Sequence, residues 1–161
     1  MSYTNADGLY VLTHGDQGAV QDKGTALGSA RQTMVVTVPD MTALATTFVA
    51  ADIDPNDPVI PAGSVILSAT WVTTTEVTSG GSATLTIGTY KADGTAIDAD
   101  GIDATVALTA INAVGETVRC DGAHLTTAGY VADDAYIGLI YATAAYTAGA
   151  GKLVIEYIKV A

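Results

Sequence analysis

Short runs of β-branched and apolar residues, closed by glycine, proline or aspartate, repeat along the chain from residue 32 onward. Runs of about four to eight such residues are typical of β-strands, because branched side chains pack well on a pleated surface and turn formers end it. The predicted strands cover residues 33–38, 46–53, 65–77, 83–91, 117–120, 135–145 and 152–160. Since no strand–helix unit repeats, we expect an all-β, antiparallel β-sandwich, jelly-roll-like in topology.

One connection predicts a hairpin. Residues 79–82 read Ser-Gly-Gly-Ser, and glycine supplies the positive φ that a tight turn needs. Residues 146–151 are predicted to connect the last two strands. Within the strand at 65–77, Trp71 lies on the apolar parity and is predicted to be in the core, with burial ending near it.

One short helix is predicted in the third quarter of the chain, between Ile102 and Val114. Apolar residues recur there every four positions, in an alanine-rich context that favours a helix. The residues that carry this pattern are Ile102, Val106, Ala110 and Val114.

The first 30 residues contain more turn-forming residues and fewer apolar runs than the rest of the chain. Turn formers such as Asn5, Asp7, Gly15 and Gly24 interrupt nearly every potential element. Such a segment cannot bury an apolar face by itself. We therefore expect residues 1–30 to form an extended N-terminal arm and residues 31–161 to form the β-sandwich domain.

Charge and apolar run length exclude several classes of protein. Six Lys and Arg against 17 Asp and Glu give a net charge of −11, which would repel a phosphate backbone, so no nucleic-acid partner is expected. The longest apolar runs have three or four residues, far below the roughly 18 that span a bilayer. No secretory signal follows Met1, so neither a membrane partner nor secretion is expected.

Catalytic candidates are few. Cys120 is the single cysteine, which excludes an internal disulfide and multi-cysteine zinc sites. His124 follows it by four residues, but a strand-and-turn context does not place the two side chains on one helical face. His14 lies in the arm. No nucleophile elbow, P-loop or dinucleotide-binding motif occurs. The sequence therefore predicts no catalytic, cofactor-binding or metal-binding residue, no cofactor and no enzyme.

Acidic clusters leave one alternative open. Asp98, Asp100 and Asp103 alternate around a glycine, as in loops that bind Ca²⁺. Against a calcium-binding EF-hand loop, Asp103 stands where glycine is required and Thr109 stands where glutamate is required. Two further clusters are Asp52, Asp54 and Asp57, and the pair Asp133 and Asp134. Solvated turns are the favoured interpretation, with calcium binding as the alternative.

Aromatic side chains do not predict a sugar-binding face. Tyr136 and Tyr141 lie on one predicted strand with opposite parity, and Tyr146 follows that strand. Rings on opposite faces of a strand cannot form one stacking platform. We expect these rings in the core or in protein interfaces.

Several segments of the chain resemble a family of small structural proteins of tailed bacteriophages. The resemblance extends from about residue 6 to the end. The segments are ADGLYV (6–11), IPAGSVILSATWVTT (60–74), TSGGSATLTIG (78–88), DADGIDA (98–104), ALTAINAVGETVRCDGA (107–123) and GAGKLVIEYIKV (149–160).

The resemblance implies a capsid decoration, or cement, protein with a jelly-roll or β-sandwich core. It also implies a homotrimer bound to the major capsid protein on the outer surface of the phage head. The alternative from a different class is a head-fibre or tail-spike knob that binds host-surface carbohydrate, since one fold serves both roles. No functional residue is carried over from the family.

Overall fold

The computed structural model describes residues 3–4, 10–11, 31–54 and 57–160. The predicted arm, residues 1–30, lies outside the described residues except for β1 (Tyr3–Thr4) and β2 (Tyr10–Val11), which pair antiparallel. The division between an arm and a domain near residue 31 stays a prediction.

Nine further strands make up most of the described chain. One α-helical turn, α1 (Ala123–Thr126), and three 3-10 turns (Met41–Ala43, Ala50–Asp52 and Leu108–Ala110) complete the regular structure. The strands are β3 (Gln32–Val38), β4 (Val59–Ile60), β5 (Ser64–Ser79), β6 (Thr84–Tyr90), β7 (Ala96–Ala107), β8 (Thr117–Arg119), β9 (Tyr130–Val131), β10 (Ala135–Ala142) and β11 (Tyr146–Lys159).

These strands form two antiparallel sheets. The first sheet has the order β3-β11-β5-β8, with β9 also paired to β5, and the second has the order β4-β10-β6-β7. Consecutive strands from β3 to β8 alternate between the sheets, apart from the neighbours β6 and β7. The predicted all-β antiparallel sandwich is confirmed, and the interleaved order is jelly-roll-like.

The core lies between the inner faces of the two sheets. Trp71 on β5 is fully buried, as predicted. Burial does not end there, because Thr73 and Val77 are buried too. The indole N–H of Trp71 donates to Thr73 Oγ1 at 3.2 Å, and that hydroxyl donates to the Ile111 carbonyl at 3.1 Å, so the polar threonine is satisfied inside the core. Fully buried aliphatic partners include Leu85, Ile87, Ile102, Leu153 and Ile155.

The strand predicted at residues 46–53 is wrong. In its place the chain forms the 3-10 turn Ala50–Asp52 and a single parallel bridge between Ala45 and Ile140. The Asp52 carboxylate accepts the Val49 N–H at 2.8 Å, which favours the tight turn over an extended strand.

The helix predicted at residues 102–114 is also wrong, because β7 continues to Ala107 and only the 3-10 turn Leu108–Ala110 follows. An apolar residue at every fourth position also fits a strand, since four is twice the strand period of two. Ile102 and Val106 accordingly share the inner side of β7. The one short α-helix of the described chain is α1.

The hairpin predicted at residues 79–82 is wrong as well, and residues 146–151, predicted as a connection, belong to β11. Residues 79–82 lead from β5 in the first sheet to β6 in the second, and the connection from β10 to β11 also changes sheet. β11 begins at Tyr146 and pairs with β5 over most of its length. Among strands β3–β11, the tight hairpin is β6–β7, whose turn contains Gly94 at φ 81°.

Candidate functional site

An irregular stretch of β7 carries the acidic cluster singled out in the sequence. Thr89 of β6 faces Asp98, and Ile87 faces Asp103, so the single residue Gly88 faces four residues of β7. A Cβ at Gly88 would lie 2.2 Å from the carbonyl oxygen of Ala99. Glycine is therefore required where the bulged backbone crosses β6.

Of the three carboxylates of this bulge, Asp98 and Asp100 contact each other, whereas Asp103 has a separate environment. Asp100 hydrogen-bonds with the Asp98 side chain, and this bond, with some burial, raises the pKa of Asp100. Asp103 instead is buried and accepts the Thr105 N–H at 2.9 Å. Within the described part of the chain, no group of three or more His, Cys, Asp or Glu side chains is arranged to hold a metal ion. The geometry of the cluster therefore adds nothing to the calcium alternative.

Asp103 lies at the centre of a buried polar cluster that joins β7 to the segment after β8. Burial raises its pKa, while the backbone N–H of Asp121 and the thiol of Cys120 donate to it. Burial, followed by the negative charge of Asp103, raises the pKa of Cys120 to about 12. A thiol that stays protonated is a poor nucleophile, so the geometry favours a structural role for Cys120.

His124 has both ring nitrogens engaged away from the thiol. Its Nε2 lies 2.9 Å from Thr89 Oγ1, and its Nδ1 lies 2.8 Å from the Ala128 carbonyl oxygen. The buried imidazole thereby ties α1 to β6. His14, the other histidine of the sequence, lies outside the described residues.

The remaining acidic clusters are used locally in turns and surface contacts. Asp57 accepts the Asp54 N–H at 2.8 Å. Asp134 accepts the Ala62 N–H at 2.8 Å, and Asp133 forms an ion pair with Lys91 at 2.9 Å. These contacts fit the solvated-turn interpretation of the acidic clusters.

The aromatic side chains are mostly turned inward. Tyr146 is buried and packs edge-to-face on the half-buried Tyr141, with ring centroids 6.2 Å apart. Tyr136 is also half-buried. Among the aromatic side chains that the structure describes, Tyr130 alone is largely exposed, at 54%. One exposed ring does not make a carbohydrate-stacking platform.

Charge is distributed unequally between the sheets. Strands of the first sheet carry three cations, Arg119, Lys152 and Lys159, and two anions, Glu76 and Glu156. Strands of the second sheet carry three carboxylates, all on β7, and no cation. The exposed Asp100 thus marks an acidic edge of the second sheet. No helix in the described residues is long and apolar enough to cross a membrane.

Sequence reasoning found the acidic run but missed which carboxylate is interior. Asp98, Asp100 and Asp103 lie in one uninterrupted stretch, and no residue pattern in it separates the buried carboxylate from the exposed ones. The contact of Thr89 with His124 was also missed, because Thr89 alternates with apolar residues like any other threonine in a strand.

Comparison with known proteins adds a likeness in fold. No family model matches the chain, and no curated protein sequence matches it. A chain in the capsid of Ralstonia phage GP4 is similar at a TM-score of 0.52 and 16% identity, over 83% of this chain and 85% of that one. A chain in the capsid asymmetric unit of cyanophage Pam1 is similar at a TM-score of 0.51 and 18% identity, over 99% of this chain and 100% of that one. At such identities the likeness establishes a shared fold.

Proposed function

We propose that this chain is a virion structural protein that decorates and stabilises a bacteriophage capsid. In this proposal it sits on the outer surface of the phage head, binds the major capsid protein and acts as a homotrimer without catalysis. The observation that carries the proposal is the end-to-end likeness to a chain of the cyanophage Pam1 capsid, which covers 99% of this chain and all of that one.

The chemistry of the described residues supports a structural role. Three side chains are of types that often take part in catalysis: Cys120, His124 and Asp103. All three are buried, and the polar atoms of His124 and Asp103 are hydrogen-bonded within the protein. The feature of the surface that could bind a partner is its negative charge. The chain has a net charge of −11, and β7 forms an acidic edge. A partner with basic outward-facing loops would be electrostatically complementary to that edge.

A decorating protein needs many modest contacts, because each docked copy adds to the resistance of the shell. A homotrimer presents three equivalent docking sites, so binding of the first site raises the effective concentration of the others. Individual contacts of a trimer can therefore be weak while the assembly stays bound.

The test uses undecorated, expanded heads of the phage that encodes the protein. Purified protein is bound to these heads across a salt series, and occupancy is measured. We expect occupancy to fall with salt, because the Debye length shortens from about 10 Å at 0.1 M to about 3 Å at 1 M. Decorated heads should then lose DNA at a higher temperature than bare heads. Equal temperatures would overturn the stabilising role and favour the host-binding knob.

Two single substitutions test whether the β7 edge is the docking surface. Asp100→Asn and Glu76→Gln each remove one exposed carboxylate, from the second and the first sheet respectively. D100N should lower occupancy on heads at low salt, whereas E76Q should leave it unchanged. Equal effects of the two substitutions would contradict docking through β7.

A further inference from the structure

The edge strands of the two sheets differ in how well they are protected against pairing with other chains. Exposed edges carry unpaired N–H and C=O groups, and natural proteins blunt them with short strands, bulges or charges. In the described structure, β4 has two residues, β8 has three, and β7 has a bulge flanked by carboxylates. Each of these three edges therefore carries a feature that discourages pairing.

β3 carries no such feature. Its seven residues, Gln-Thr-Met-Val-Val-Thr-Val, contain neither a charge nor a proline. Its pairing with β11 runs from Gln32 to Val38 without a register shift, so the strand is regular along its whole length. Val35, at its centre, is 47% exposed. A long, regular and uncharged edge is well suited to accept another strand.

The residues on either side of β3 have opposite charges. Arg31 precedes the strand, and its side chain stays 63% exposed although Nη1 lies 3.2 Å from a Glu156 oxygen. Asp40 follows the strand and is exposed. If two copies of β3 run antiparallel, Arg31 of each copy approaches Asp40 of the other, at both ends of the pair. A parallel pair would instead bring like charges together.

The inner and outer faces of two such copies also match. In an antiparallel pair centred on Val35, Met34 lies opposite Val36 of the second copy, and Gln32 lies opposite its Val38. Met34 and Val38, which point into the core, thus remain on the core side of both copies. The first sheet is also the less acidic one, so two chains of net charge −11 approach there with the least repulsion.

We infer that β3 is a self-association edge: it pairs antiparallel with β3 of a second copy about a two-fold axis at Val35. This joins the first sheets of two copies into one continuous sheet. The contact is additional to the proposed three-fold assembly and does not rest on capsid binding.

A cysteine cross-link tests the pairing directly. In the two-fold pair the Cβ atoms of the two residues 35 lie about 4.5–5.5 Å apart, near enough for a disulfide after small adjustment. Val35→Cys should give a covalent two-chain species on mild oxidation. Val49→Cys is the matched control, because Val49 is equally exposed, at 49%, and lies outside the strands. The native Cys120 is buried and does not interfere.

Charge exchange tests the orientation. In the V35C protein, Arg31→Asp or Asp40→Arg alone should reduce the cross-link, and the double exchange should restore it. Circular dichroism would verify that each variant is folded. Cross-linking of V49C as strongly as V35C, no cross-link in V35C, or no recovery in the double exchange would overturn the inference. Phage heads are absent from this assay, so its outcome is separate from that of the capsid-binding test.

Discussion

Gly151 of β11 allows the closest approach in the core. A Cβ at this position would lie 2.0 Å from Cζ2 and 2.6 Å from Cε2 of Trp71. Because the fully buried indole is also hydrogen-bonded to Thr73, it cannot retreat without breaking a bond and shifting its neighbours. The lack of a side chain at residue 151 is thus a packing requirement set by one ring.

Gly151→Ala should therefore lower the free energy of unfolding by about 1–3 kcal/mol, the usual range for an overpacked core. Urea denaturation followed by the fluorescence of the single tryptophan would measure this change. Gly80→Ala is the control, because a Cβ at Gly80 meets no atom within 4 Å. The two variants should differ clearly, and equal stabilities would contradict the packing argument.

The buried Asp103 predicts a pH dependence of stability. Burial raises its pKa in the folded state above 3.8, so the folded protein holds this proton to higher pH than the unfolded chain does. The resulting stabilisation is fully present below pH 3.8 and is lost as the pH rises through the raised pKa.

Asp103→Asn removes this titration. Its free energy of unfolding, relative to that of the wild type, should therefore increase as the pH is raised from below 3.8 to neutrality. Urea denaturation at a series of pH values would measure the difference. Glu76→Gln, which removes an exposed carboxylate, serves as the comparison. The same trend in both variants would show that burial is not the cause.

At the scale of secondary-structure elements, α1 is linked to the rest of the fold by the side chain of His124. With four residues it is too short to be stable alone, and His124 links it to Thr89 of β6 and to the Ala128 carbonyl. The edge strands β8 and β9 lie on either side of α1 along β5, so this link also holds the segment between them.

His124→Ala should speed amide hydrogen exchange in residues 122–131 and lower the free energy of unfolding by about 1–3 kcal/mol, since it removes the 2.9 Å contact of the imidazole with the buried Thr89 hydroxyl and leaves that hydroxyl only a long, 3.4 Å bond to the Asp98 carbonyl. Thr89→Val should have a similar but smaller effect on exchange, because the imidazole remains in place. Exchange mass spectrometry would measure both variants. Unchanged exchange in H124A would contradict the proposed link.

Strand composition predicted most of the extended segments, with errors at residues 46–53 and 102–107, but not which strands pair. Residues 33–38, 65–77 and 83–91 were assigned correctly, because β-branched residues and turn formers act locally. The pairing of β11 with β3 and β5 joins residues far apart in sequence, and no local pattern encodes it. At the candidate site, the acidic run was visible in the sequence, whereas the burial of Asp103 depends on a bulge whose register is set by β6.

At the scale of the whole molecule, the proposed three-fold symmetry predicts the mass in solution. The three-fold assembly is proposed to use surfaces other than β3, so Val35→Lys, which places like charges opposite each other on paired edges, should leave it intact. Sedimentation equilibrium of V35K should then give about three times the chain mass of 16.2 kDa. A monomer at micromolar concentration would contradict the three-fold assembly and leave the β3 inference to its own test.

Because β11 lies between β3 and β5, its synthesis also determines when the first sheet can form during folding. Arg31 and Glu156, which meet across that sheet, are 125 residues apart. A ribosome must therefore synthesise nearly all of the described chain before the first sheet can close. Until then β3 and β5 each lack the neighbour that joins them. Folds dominated by such distant contacts form slowly, on the order of milliseconds to seconds. During that interval the unpaired, uncharged β3 is where nascent chains are most exposed to aggregation.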